Sequence, residues 1–138
     1  MQLYAFYSIG SLLSRTSLAE DLEKSPHTIE SWLVLLENIY SCYRIAPYGP
    51  PKVKAIKKQQ KLYLWDWSVI ENSGPRFENF VASHLLKWCH FMEDTQGFKM
   101  ELRYLRDVEG REIDFVVFPL ISATLNPAPG FQNFIKFT

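Results

Sequence analysis

Two acidic residues stand where hydrolytic chemistry could use them. Glu78 falls in a segment with helical periodicity. Asp114 lies inside Glu112-Ile113-Asp114-Phe115-Val116-Val117, a run that follows a turn and reads as a buried strand. A carboxylate among apolar strand neighbours carries a desolvation penalty of several kcal/mol unless something pairs with it. A hard cation is one such partner, because Mg²⁺ takes carboxylate oxygens and polarises phosphates. A salt bridge to Arg103, Arg106 or Arg111 is the other, and for a lone Asp it is the simpler expectation. Glu112 is next but one to Asp114, so on a regular strand it points to the same face. Beside Arg111, its expected use is a solvated ion pair.

A second chemistry is polyanion binding. Lys52, Lys54, Lys57, Lys58 and Lys61 fall within ten residues. They could neutralise phosphates, or simply keep a sheet edge solvated. Metal chemistry through sulfur and imidazole is not expected. Cys42 and Cys89 sit in separate apolar runs and read as buried free thiols, and His84 and His90 are six apart on one helix, which is not a ligand spacing.

The elements that must position these residues can be read from periodicity. Met1 to Leu13 carries a helical stripe interrupted at Gly10, and it starts with no cap, as in a piece cut from a longer protein. Ser17 followed by Glu20 has capping-box spacing and predicts a short helix. Ser25-Pro26 predicts the cap and first position of a second helix. That helix carries its stripe on Ile29, Trp32, Leu33, Leu36, Ile39 and Tyr40, with Trp32 in the core. Short helix, turn and longer amphipathic helix make a helix-turn-helix pattern. The exposed start of its second helix, the part that enters a major groove in such domains, offers His27, Thr28, Glu30, Ser31 and Glu37, without Arg or Lys.

Strands follow at Cys42–Ile45 and Lys61–Trp65, paired across a Pro/Gly-rich turn as a hairpin, the wing, with the lysines in its connection. Asn72-Ser73-Gly74-Pro75 is the expected domain boundary. Beyond it, Phe77, Phe80, Val81, His84, Leu85 and Trp88 form a helical stripe that ends near residues 93–97. A strand over Lys99–Arg106, a turn at Asp107-Val108-Glu109-Gly110 and a strand over Ile113–Phe118 complete the pattern. After Pro119 it weakens into a disordered-looking tail.

Bulk properties narrow the classes. Of 138 residues, 47% are hydrophobic and the formal net charge is zero. The first figure fits a folded core, and the second argues against a dedicated nucleic-acid clamp, though not against a local basic patch. No apolar stretch approaches the roughly 20 residues that span a bilayer, so a cytoplasmic protein without a membrane partner is expected.

Several of these segments together carry a resemblance. Ser17-Leu18-Ala19-Glu20-Asp21-Leu22, Thr28 through Glu37, Pro47-Tyr48, Lys61-Leu62-Tyr63-Leu64-Trp65-Asp66, Gly74 through Val81 and Tyr104 through Val117 resemble, in order and spacing, the domain of unknown function that follows the ATPase core in prokaryotic AAA+ superfamily ATPases. The likeness covers roughly residues 12 to 118. It implies an α+β chain: a winged helix-turn-helix over 1–73, then a partial restriction-endonuclease-like (PD-(D/E)xK) α/β unit over 74–118, and a divergent tail over 119–138. It also implies that Glu78 and Asp114 are the first two acidic positions of a nuclease-like site.

That family's following Glu-x-Lys strand is missing, since no acidic residue occurs after Val117. A truncated copy, or a frame shifted near Phe118, is the expectation. No G-x-x-x-x-G-K-[ST] phosphate loop occurs. The chain is therefore expected to hold no cofactor itself: Mg²⁺ only if the nuclease-like site were intact, and ATP only in the ATPase core of a parent protein. The expected role is a non-catalytic C-terminal module whose partners are that ATPase core and, as a second candidate, DNA. Its DNA-binding candidates are Lys52, Lys54, Lys57, Lys58 and Lys61. The alternative is a metal-dependent nuclease-like domain with an incomplete site.

Overall fold

A computed structural model describes residues 9–48, 60–107 and 109–120, together with the backbone of 135–137. The described residues form a mixed α and β chain with three α-helices and two small antiparallel sheets. It divides into two units, Met1–Ser83 and His84–Thr138. None of the described helices is long and apolar enough to cross a membrane.

The first unit begins with a helix pair. Helix α1, Arg15–Asp21, starts at Ser14, whose Oγ accepts the Ser17 N–H at 3.2 Å. Ser17, the expected cap, thus sits inside the helix; three serine or threonine hydroxyls crowd this start, and Ser14 is the one in extended conformation. The helix closes with Glu23 at φ 52° and the Lys24 N–H donating to the Ala19 carbonyl at 2.8 Å. Helix α2, Pro26–Asn38, has the expected start: Ser25 caps it, accepting the Thr28 N–H at 3.1 Å, and Pro26 follows.

On α2, Ile29 and Leu33 are buried, with Trp32 and Leu36 partly so. They pack with Leu13, Ala19, Cys42 and Leu62 in the core. Trp32 is therefore a flank of this core rather than its centre. Ile39 and Tyr40 leave the expected stripe and are 64% and 73% exposed. The cause is local. The helix ends at Asn38, and Tyr40 turns into the left-handed region at φ 54°.

Strand β1, Cys42–Ile45, pairs antiparallel with β2, Lys61–Leu64, with Cys42 opposite Leu64 and Ile45 opposite Lys61. The two expected strands therefore pair as expected, β2 ending one residue early. Residues 9–12 do not continue a helix. Ile9 and Leu12 bridge to Leu62 and Lys61, and the Gly10 and Leu13 N–H groups donate to the Leu62 and Gln60 carbonyls. The remainder of the stripe expected over Met1–Leu13 lies outside the described residues.

Helix α3, Ser73–Gln96, begins at the expected boundary rather than after it. Its turns up to Ser83 belong to the first unit and the rest to the second. Its buried positions are Asn79, Ala82, Ser83 and Cys89, while Phe77 is 69% exposed and Trp88 36%. The buried face is thus rotated from the expected aromatic stripe toward small and polar residues.

In the second unit, β3, Met100–Arg106, and β4, Glu112–Pro119, form an antiparallel hairpin, as their sequences predict. The turn holds because Gly110, at φ 84°, donates to the Asp107 carbonyl, and Asp107 Oδ1 accepts the Glu109 and Arg111 N–H groups. The expected disordered tail is corrected in part. Ile135–Phe137 forms β5, antiparallel to β4, with Val116 opposite Lys136. Among the described side chains of this sheet, Leu102, Tyr104, Phe115, Val116 and Val117 are buried.

Candidate functional site

The carboxylate of Glu78 lies where three segments of the first unit meet. It is carried by the first turns of α3. The Tyr63 hydroxyl on β2 donates to Glu78 Oε1 at 2.8 Å, and the Lys61 ammonium stands 3.8 Å from the same oxygen. Gly10 covers it from the third segment: a Cβ there would fall 2.9 Å from either carboxylate oxygen. A side chain at position 10 would push the carboxylate from this place, and the φ of 72° is also one that side chains disfavour.

The next residue completes the attachment of α3. Asn79 is fully buried, and its Oδ1 accepts the Leu64 N–H at 2.8 Å while its Nδ2 donates to the Leu64 carbonyl at 2.6 Å. This amide takes the place a neighbouring strand residue would fill. Ser83, one turn on, shares a 3.0 Å hydrogen bond with the Tyr43 hydroxyl. Burial pushes the Tyr43 phenol well above its ordinary value, the Ser83 bond opposing it.

Lys61 differs from the solvated lysine expected there. Its side chain is 4% exposed, at the start of β2. Lys52, Lys54, Lys57 and Lys58 lie outside the described residues.

The acidic residues of α2 are neutralised from other elements. Arg44 on β1 holds Glu37 through two bonds of 2.8 and 2.6 Å and Glu30 through two of 2.9 and 3.0 Å. Arg15 adds a 3.0 Å bond to Glu30. Burial works to raise the Glu30 carboxyl, but the bonds and charges of Arg44 and Arg15 outweigh it and hold it below its ordinary value. Hydrogen bonding by Glu37 first, opposed by burial and supported by Glu30, raises Arg44. A cleft of about 600 Å³ beside this network is lined by Ser14, Arg15, His27 and Glu30 among others. Its two charged walls already satisfy each other.

Asp114 is in the second unit, half-buried on β4. Arg103 pairs with Val116 and Leu105 with Ile113 across the hairpin, so Tyr104 alone faces both Asp114 and Phe115. Asp114 thus sits at a β-bulge, a device that re-aims a side chain. Of the arginines expected near it, Arg103 binds Glu101 at 2.9 Å and Arg111 binds Asp107 at 2.6 Å and Glu109 at 3.0 Å. Glu112 is exposed. Burial first, and then the charge of Glu112, raises the Tyr104 phenol. Among the described residues, no group of three or more His, Cys, Asp or Glu side chains is placed to hold a metal ion. The two thiols are buried and separate, each pushed up by burial to about 11, which leaves them unreactive at neutral pH.

Sequence reasoning finds Glu78 and Lys61 singly but not their pairing, and it misses Asn79, Ser83 and Arg44. An Asn flanked by apolar helix positions is the signal that could have pointed to the first of these.

Residues 1–73, more than half of the 138, match the model of a family described as a domain of unknown function, DUF8612. The chain belongs to this family. Nothing in the match links DUF8612 to AAA+ ATPases. No curated protein and no solved structure matches the chain. The attachment of α3 through Glu78, Asn79 and Ser83 lies beyond the residues that the DUF8612 model covers, yet within the first unit.

Proposed function

We propose that this DUF8612 chain is a non-catalytic module of an AAA-type ATPase, a winged helix that contacts DNA or the ATPase core of its parent. The ATPase link rests on the sequence resemblance alone. The winged-helix reading is carried by one observation, the order of pairing in the first unit. Residues 9–12 bridge to β2, β2 pairs with β1, and the two helices lie in sequence between the first and last of these segments. That order is the one a helix-turn-helix needs to gain a wing.

The connection between β1 and β2 would then carry the DNA contact through Lys52, Lys54, Lys57 and Lys58. Helix α2 adds little to it. Its glutamates are held by Arg44 and Arg15, so it neither repels nor attracts phosphate strongly. Its exposed Leu35 and the neighbouring Ile39 suit a protein contact better, which favours the ATPase core as the partner of that face.

The metal-dependent nuclease reading is weaker. A divalent cation at Glu78 would stand beside the Lys61 ammonium, and like charges at that distance disfavour it. Glu78 with Lys61 beside it therefore does not fit a divalent cation.

Changing Lys54, Lys57 and Lys58 together to Glu tests the DNA contact. Binding to duplex DNA should weaken strongly, and the slope of log affinity against log salt should fall by roughly 0.9 for each phosphate that is no longer neutralised. Equal retention of the variant and the parent on a DNA column would sink it.

A further inference from the structure

From the Lys61–Glu78 geometry we infer that Glu78 is a positioning residue, an internal counter-ion that holds Lys61 at the root of the β1–β2 connection and withholds it from polyanions. The DNA limb of this inference rests on the winged-helix reading above; the pairing itself does not.

Four observations carry it. The Lys61 side chain is 4% exposed and 3.8 Å from Glu78 Oε1. A buried ammonium needs a counter-charge, because desolvation of an unpaired ion is far costlier than that of a paired one. The backbone of Lys61 is fixed on both sides, opposite Ile45 on β1 and bridged to Leu12, so the side chain cannot reach solvent by sliding its strand. Glu78 is itself held by the Tyr63 hydroxyl at 2.8 Å and covered by Gly10, which leaves its carboxylate aimed at β2.

The consequence is a division of labour among five lysines close in sequence. Lys61 sets where β2 begins and is withheld from phosphate, and the DNA contact proposed above falls to Lys52, Lys54, Lys57 and Lys58. Glu78, which the resemblance casts as a metal-binding acid, then serves the fold and the placement of the wing instead.

The test has three arms on the full chain. In a cycle of Lys61→Met, Glu78→Gln and the double variant, Glu78→Gln should lower the urea midpoint, because it removes the counter-charge of the buried Lys61 ammonium while Glu78 itself is 29% exposed, and the double variant should recover most of that loss. Glu78→Gln keeps a group that can accept from Tyr63, so the loss reports the charge. Losses that simply add would overturn the inference.

In the unmodified chain, amine acetylation read by mass spectrometry should reach Lys61 last of the five. Labelling of Lys61 as fast as Lys57 would overturn it even if a variant failed to fold. On duplex DNA, Lys57→Met should lower the salt slope by roughly 0.9 while Lys61→Met leaves it unchanged; an equal loss from Lys61→Met would overturn the withholding of Lys61. If the chain binds no DNA, the winged-helix function falls, and the cycle and the labelling still decide the role of Glu78.

Discussion

In the first unit, charged groups reach across the chain to one another. Arg15 and Glu30 are 15 residues apart, Arg44 and Glu30 are 14 apart, and Lys61 meets Glu78 from another element. In the second unit the pairs Glu101–Arg103, Asp107–Arg111 and Glu109–Arg111 join residues two to four apart. Burial follows the same division. Among the described residues the buried polar side chains are Lys61, Asn79 and Ser83, all in the first unit. Among the described residues of the second the buried side chains are Cys89, Leu102, Tyr104, Phe115, Val116 and Val117. Polar groups inside a protein are costly unless satisfied and specific when they are. The first unit therefore depends on the accuracy of its long-range pairs, and the second on the volume of its core.

The sharpest way to break this comparison is a pair of substitutions that keep bulk. Asn79→Leu preserves size but leaves the part-buried Leu64 N–H without its acceptor, and leaves the Leu64 carbonyl with only the longer 3.4 Å bond from the Ser83 hydroxyl. At about 1–3 kcal/mol for an unsatisfied group, with a further part lost at the carbonyl, the expected loss is roughly 2–4 kcal/mol. Phe115→Leu in the second unit removes little volume and no hydrogen bond, and should cost about 1–2 kcal/mol. Urea denaturation of both variants measures the difference. A loss from Asn79→Leu no larger than that from Phe115→Leu would mean that the amide is not what holds α3 to β2.

The same division governs what the amino-acid sequence reveals. Ser25 and Pro26 mark the start of α2 because capping acts within three residues, and the β3–β4 hairpin is legible because Asp107 and Gly110 make the turn among themselves. Ser14 is harder to single out, since several hydroxyls near one helix start compete on equal terms. The face of α3 differs from its hydropathy stripe for a physical reason. Hydropathy weights Phe77 and Trp88, but the helix bonds β2 through Asn79 and Ser83, and the small Ala82 is buried beside them in the chain. The β5 strand is three residues long and follows a segment rich in Pro and Gly, so no period could announce it. At the candidate site, Glu78 is visible in the sequence as a carboxylate on a helix, but its partners Tyr63 and Lys61 are long-range and are brought to it only by the fold.

A smaller effect sharpens the account of the first unit's apolar core. Trp32 flanks the cluster of Leu13, Ala19, Ile29, Leu33, Cys42 and Leu62 rather than filling it. Trp32→Ala should therefore cost about 2–3 kcal/mol, below the ~3–5 kcal/mol of a fully buried aromatic. A denaturation loss below about 1 kcal/mol would mean that α2 packs without it, and a loss near the top of the buried-aromatic range would mean that the apolar core, not the polar pairing, dominates this unit.

The smallest expected effect is none at all, and it concerns catalysis. Metal-assisted cleavage of a phosphodiester needs a hard cation held by two or three oxygens, an oriented water and a positive group near the developing charge. The two acidic positions are used differently. Glu78 is engaged by Tyr63 and Lys61, so binding a cation there would first have to displace a buried ammonium. Asp114 stands at a bulge opposite Tyr104, with the neighbouring Glu112 exposed. Beyond Val117 the sequence supplies no further acid, and Lys136 is its sole lysine after Asp114. Incubation with Mg²⁺ or Mn²⁺ should leave duplex and single-stranded DNA intact. The informative control is Asp114→Ala. Cleavage present in the parent chain and absent in this variant would show that Asp114 works with a metal after all. Glu78→Ala would then decide whether the carboxylate held by Lys61 shares that work.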